Sequence, residues 1–435
     1  MTNENLLSRV VFAFLLYRVV SRFSFYVPIF VVALVVSGFS FLKIGGILFV
    51  YGLSTLIAGN FGRRVLEERG PVVPIVLGEI LKALSNAIIG GVLAGIFGSP
   101  WAPMALAAML FAQLAGGIGY AMAAIGDGSY LSHAARSLHA QESSQQQAQA
   151  RSSSAMFMSF LAAGIVGAMS FRIVSWLPFA MTAGANLMAG LIAGRWLVLS
   201  LRDAAGDDVG KMRVLVSSSG STRINDRGKG KVRQGSTPYS ARAWIAVLSY
   251  ALLRSTVIVM QLLILPVWFF LDMKIDVVYF GLLFALYTLS GFLGGRFYPV
   301  ISTRTGEENG RLLMFVVTAL SLALAGLIDN RWLAFIAPVG AFAGAGMVRP
   351  AFLPELVRAS TRDGKEANAV SDAERIFGLL TALLYLIGGI ALHWKVSPAH
   401  LSVWSSGMLF VLGGLLWWRG RWLSQKVKRE THVRM

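Results

Sequence analysis

Residues 202–242 read RDAAGDDVGKMRVLVSSSGSTRINDRGKGKVRQGSTPYSAR. The stretch is polar, basic and rich in Gly and Ser, so it cannot bury enough apolar surface to fold by itself. Long apolar runs dominate the chain on either side. The stretch therefore acts as a connector between two membrane-embedded halves, 1–201 and 243–420, with 421–435 as a basic tail.

Working outward from the connector, composition sets the class. The 435-residue chain is 56% hydrophobic and 14% charged, with a mean hydropathy of +0.65. A soluble domain this apolar would aggregate, which points to a polytopic membrane protein. The net charge of +18 is explained by the loading of Lys and Arg into cytoplasmic loops, so nucleic acid is not an expected partner. With 0 Cys there is neither a disulfide framework nor a cysteine metal site. The first apolar run continues past residue 30 without a small-residue cleavage site, which reads as a retained first span.

Apolar runs long enough to cross a bilayer fall at 10–36, 42–61, 71–95, 101–131, 153–173 and 177–200 in the first half. In the second half they fall at 243–271, 276–297, 311–328, 331–352, 372–394 and 400–419. The expected fold class is an all-α polytopic membrane protein with twelve transmembrane helices in two pseudo-symmetric six-helix bundles. Placing both termini and the connector in the cytoplasm gathers Arg63, Arg64, Arg69, Arg304, Arg311, Arg358, Arg362 and Lys365 on that side. Only Lys43, Arg172, Lys274, Arg331 and Lys395 fall outside. The localisation expected is multi-pass in a cytoplasmic (inner) membrane.

The halves also echo each other. AQARSSSA (148–155) precedes span 5, and ANAVSDAE (367–374) precedes span 11. Span 2 carries Gly46 to Tyr51 and ends with Gly59. Span 8 carries Gly281 to Tyr287 and ends with Gly294. Internal repeats of this kind mark secondary transporters, whose site lies between the repeats near the bilayer midplane.

On these features the chain resembles the major facilitator superfamily over nearly its whole length. The stretch FYVPIFVVALVVSGFSFLKIGGILFVYGLSTLIAG (25–59) looks like the first two helices of many members. The family's best-known motif lies between helices 2 and 3. Here the corresponding loop, GNFGRRVLEERGP (59–71), departs from that motif in either register. The family's usual acidic gate contact therefore does not carry over. Span 5 also lacks the Gly-Pro motif of many drug–proton antiporters, offering Ala162 to Gly167 with no Pro.

A substitute gate is available in the sequence. Ser371 and Glu374 form a capping box that would open span 11, and Asp372 and Glu374 favour that helix N-terminus. Arg63 and Arg64 are expected to face Asp127, Asp372 and Glu374 when the cytoplasmic side closes. The plainer reading is that these charges orient loops in water.

Charges inside apolar runs are costly in lipid and usually face a cavity. Arg18 and Arg22 in span 1 and Arg254 in span 7 are therefore candidate substrate-binding residues, with the mid-membrane amides Gln113 and Gln261. The family resemblance implies that spans 1, 4, 7 and 10 line the cavity and that span 3 is peripheral. Glu79 and Lys82, spaced i, i+3, then read as a structural pair. Glu79 and Asp127 are the coupling candidates. No carboxylate appears at similar depth in spans 1, 4, 7 or 10, and Asp127 is too close to the cytoplasmic face, so the cavity should be positive when empty. An arginine from helix 1 opposite one from helix 7 is similar to the arrangement in the family's organophosphate–phosphate antiporters. The plainer alternative has these arginines bonding backbone carbonyls or amides, or snorkelling.

No Walker loop is present, and the five His form no ligand pair at helical spacing, so neither an enzyme, a cofactor nor a metal is expected. Gly116, Gly117, Gly119, Gly388 and Gly389 read as close helix packing. The expected function is secondary active transport of a small solute, an organic anion, by alternating access. The expected partners are that solute and the lipid bilayer, with protons as a coupling ion, for a monomer. The alternatives are a proton-coupled efflux pump for amphipathic compounds and a non-transporting, transporter-like scaffold or sensor.

Overall fold

The computed structural model describes residues 3–99, 102–137, 142–200, 241–362 and 368–433. The predicted connector lies almost entirely outside these residues. Eleven helical stretches among them are long and apolar enough to cross a membrane, and the shorter Val27–Val36 supplies one more crossing unit. All the regular structure described is helical. This fits a bilayer, where a lone helix satisfies its own backbone groups. The first half holds α1 (Asn3–Ser21), α2 (Phe30–Val36), α3 (Phe41–Arg69), α4 (Val72–Leu93), α5 (Pro103–Ser137), α6 (Glu142–Ile173) and α7 (Leu177–Ile192). The second holds α8 (Ala241–Val259), α9 (Val278–Thr305), α10 (Glu307–Leu327), α11 (Arg331–Ile336), α12 (Val339–Arg362), α13 (Asn368–His393) and α14 (Pro398–Val433).

Several expected elements are corrected. Span 1 is not one helix over 10–36: α1 stops at Ser21, and a 3-10 turn at Val27–Ile29 leads into α2. Pro28 sits in that 3-10 turn, where it supplies no amide and restricts the residue before it, so the turn does not extend back into one continuous helix. Span 10 breaks between Ile336 and Val339 beside Pro338 for the same reason. Span 7 stays continuous but unwinds into π turns at Met260–Ile264 and Trp268–Asp272, on either side of Pro266. The loop expected at 59–71 is mostly helix, since α3 runs to Arg69 and turns only at Gly70, φ 76°. Ser371 does not open span 11, because α13 begins three residues earlier, at Asn368.

Small residues let the helices approach closely. A Cβ placed on Gly78 of α4 would sit 2.6 Å from the Gly119 carbonyl of α5. The Gly116–Gly119 cluster is thus a packing surface, as read from sequence. Between the halves, α3 lies against α13: a Cβ on Gly45 would meet the Cα of Gly389 at 2.8 Å. α6 meets α9 in the same way, with Gly281 facing the Gly164 carbonyl at 2.7 Å. Phe160–Phe284 and Phe157–Phe292 ring pairs continue that seam, at 6.4 and 5.5 Å. The Gly45–Gly389 and Gly164–Gly281 approaches lie toward one end of the bundle, away from the basic end that carries Arg63 and Arg304.

Candidate functional site

The two halves enclose a central cavity of about 250 Å³. The break after α1 makes one wall. There Arg22 and Phe23 close i→i−3 turns onto Val19 and Val20, at 3.3 and 3.2 Å. The freed amide of Phe25 donates to Thr182 Oγ1 at 3.0 Å. This unwound segment aims Arg22, Ser24 and Tyr26 into the space. α4 contributes Lys82, Ser85 and Asn86, and α5 contributes Gln113 and Tyr120. From the second half come Arg254 of α8 with Phe377, Thr381 and Tyr385 of α13. Among the described residues the lining includes three cations and no carboxylate.

Each cation is anchored from behind. Asp127 of α5, 4% exposed, accepts from Arg18 Nη1 at 2.6 Å and from Arg22 Nη2 at 3.1 Å, both on Oδ2. Arg18 also lies over the Phe14 ring at 5.6 Å. Arg254 Nη1 donates to both oxygens of Glu374, at 2.7 and 2.8 Å, and to the Tyr250 hydroxyl at 2.5 Å. The Arg254 guanidinium stands 4.1 Å from the Phe377 ring centroid, a cation–π arrangement that fixes its plane. Lys82 Nζ donates to Glu79 Oε1 at 2.7 Å. Two further donors, Ser21 Oγ at 2.7 Å and Tyr17 OH at 3.1 Å, share that oxygen. Five cations (Arg18, Arg22, Lys82, Arg254 and the exposed Arg349) thus face three carboxylates (Asp127, Glu79, Glu374), leaving positive charge in excess.

Among the residues expected from sequence, Arg22, Arg254 and Gln113 meet at the cavity. Arg18 does not line it; it is buried behind Arg22 on the shared Asp127. Gln261 does not line it either, and borders a separate space of about 20 Å³ with Pro28 and Tyr287. The expectation of arginines without carboxylate partners is overturned, since folding carries Asp127 and Glu374 to them. Span 3 is not peripheral here, because Lys82 reaches the lining while Glu79 is fully buried behind it. The expected gate residues are engaged elsewhere. Arg63 pairs with Glu67 of its own helix at 3.6 Å, Arg64 is exposed, and Glu374 holds Arg254 with Arg349 at 3.9 Å. The side chain of Asp372 lies outside the described residues. Sequence reading missed Lys82 and the tyrosine wall of Tyr51, Tyr120 and Tyr385. A lysine one turn beyond a glutamate in an otherwise apolar run was the available signal.

Comparison with solved structures decides the architecture. A variant of the nucleoside transporter NupG superposes with a TM-score of 0.66 at 12% identity, covering 94% of this chain and 98% of that one. The peptide transporter POT, solved with sulfate, gives 0.66 at 13% identity over 96% and 97% of the two chains. The xylose transporter XylE from E. coli, partially occluded and open inward, gives 0.64 at 12% identity over 95% and 98%. The chain has the major facilitator fold. That fold accounts for the two bundles and a cavity placed between the halves. No family model and no curated protein matches the sequence, so the comparisons show the fold alone.

Proposed function

We propose that the chain is a secondary transporter carrying a small organic anion across a cytoplasmic membrane by alternating access. The observation that carries this reading is the cavity shared by both halves, with Arg22, Lys82 and Arg254 in its wall and positive charge in excess around it. Guanidinium groups stay charged and present a planar fork that fits carboxylate or phosphate. An anion offsets the excess. The ring-rich wall (Tyr26, Phe30, Tyr51, Tyr120, Phe160, Phe377) suits an apolar portion on the same solute. The volume is below the roughly 300–1,000 Å³ typical of small-molecule sites, which favours a compact solute.

In this reading residues 1–201 and 243–420 rock against each other around the site. The basic end, the connector at 202–242, both termini and the tail at 421–435 face the cytoplasm, and the protein works as a monomer. Glycine and ring packing at the opposite end supports a structure closed there and open at the basic end.

Flux into proteoliposomes tests the proposal, with a panel of small carboxylates and organophosphates set beside amphipathic cations. We expect saturable uptake of an anion and its loss in the Arg22→Ala/Arg254→Ala double variant. Transport of a cationic or neutral compound instead, or a double variant at the wild-type rate, rules out the anion site. Transport of amphipathic cations is what an efflux pump predicts, and a protein that binds but moves nothing is a scaffold or sensor.

A further inference from the structure

Glu79 and Lys82 lie one helical turn apart on α4, yet they occupy different environments. The Glu79 side chain is 0% exposed, whereas Lys82 keeps 13% exposure and borders the cavity. All three donors to Glu79 converge on Oε1: Lys82 Nζ, Ser21 Oγ and Tyr17 OH. Oε2 is buried, and no donor among the described residues reaches it. The charged and titratable groups around the pair can be named element by element. α1 presents Tyr17 and Ser21, with Arg22 within electrostatic range. α5 presents Asp127, already held by Arg18 and Arg22. α7 presents only Gly190, where a Cβ would meet that of Glu79 at 3.5 Å. Among the described residues the Lys82 ammonium is therefore the one cation in direct contact with Glu79, and it also borders the cavity.

We propose that Lys82 is shared between Glu79 and the transported anion, and that this exchange couples anion entry to uptake of one proton by Glu79. The inference rests on the anion reading above. An anion in the cavity draws the Lys82 ammonium toward itself. Glu79 then stands as a buried carboxylate without its counter-charge, which is strongly unfavourable, and it neutralises by binding a proton. The step is a simple protonation. A proton from water forms an O–H bond at Oε2, no other bond breaks, and Ser21 and Tyr17 still donate to Oε1. Each proton bound in this way adds one positive charge to the site before the anion neutralises part of it. Proton and anion thus favour each other's binding, and by reciprocity lower pH favours anion uptake. The coupled direction is symport.

The experiment removes the ammonium without needing to know the solute. Purified wild type, Lys82→Gln, Lys82→Arg and Lys82→Gln/Glu79→Gln are compared by infrared spectroscopy at neutral pH in H2O and D2O. Thermal unfolding of each variant verifies that it is folded. Lys82→Gln should show a deuterium-sensitive protonated-carboxyl band of one group. The band should be missing from wild type, from Lys82→Arg and from the double variant. A Lys82→Gln spectrum without the band overturns the proposal, as does a band that persists in the double variant. If Lys82→Gln fails to fold, Lys82→Met and Lys82→Met/Glu79→Gln are read in the same way: the band should appear in the single variant and be missing from the double, and any other pattern overturns the proposal. A band that appears as expected in a protein that moves no anion defeats the transport reading and leaves the switch standing. Anion flux that is indifferent to pH, with no band, does the reverse.

Discussion

Asp127 is the residue on which the first-half charges depend. It is 4% exposed and holds two guanidinium groups on one oxygen. Removing one partner of a buried ion pair costs about 3–5 kcal/mol, because the remaining charge is left uncompensated. Asp127→Asn should therefore lower the unfolding midpoint markedly in detergent, with Asp127→Glu closer to wild type. Equal midpoints for Asp127→Asn and wild type would show that Arg18 and Arg22 find other partners. At Arg254 the relevant property is shape as well as charge. Its guanidinium bonds both oxygens of Glu374 while stacked on Phe377. Lysine keeps the charge but loses the fork and the stacking. Arg254→Lys should raise the KM for the transported anion, and Arg254→Ala should raise it further. Equal KM values in wild type and Arg254→Lys would remove the fork from the argument.

At the scale of elements, the contact between α3 and α13 is set by glycine. A Cβ on Gly389 would fall 2.6 Å from the Cα of Gly45 and 2.8 Å from the Phe41 carbonyl. A side chain there must push the helices apart, because the obstacle is backbone that cannot rotate away. Gly389→Val should therefore open the cavity toward the end opposite Arg63. The chain contains 0 Cys, so Thr381→Cys in the lining gives a clean reporter for a membrane-impermeant maleimide. Labelling from the basic side alone is expected with Gly389 intact, and labelling from both sides once valine replaces it. One-sided labelling in both backgrounds would show that this seam does not close the cavity. The break between α1 and α2 works in the opposite sense. The chain leaves the helix after Ser21 and resumes at Val27, and this break places Arg22 in the cavity wall.

At the scale of the whole molecule, the segregation of Lys and Arg sets a topology that the fold by itself leaves open. Cysteine introduced at Ser219, in the connector, should resist an external impermeant reagent in intact cells, while cysteine at Ser99 should react. Labelling of Ser219→Cys from outside would invert the orientation. The inter-half seams named above are made of small residues and rings, whereas the ion pairs of the site each lie within one half. Such an arrangement lets the halves tilt without breaking a buried charge pair.

The sequence alone determined the class and the crossing segments, because a bilayer admits only long apolar helices. It also marked Arg22, Gln113 and Arg254, since polar groups within such runs are rare enough to carry meaning. The partners of those charges were decided by tertiary packing. Asp127 lies 109 positions from Arg18, and Glu374 lies 120 from Arg254, and no local periodicity links residues so far apart. The same holds for Lys82. Its spacing from Glu79 showed a pair on one helix face, but which member faces the cavity depends on how α4 is rotated against α1, α5 and α7. That rotation is fixed by glycine contacts such as Gly78–Gly119, whose meaning exists only once both helices are in place.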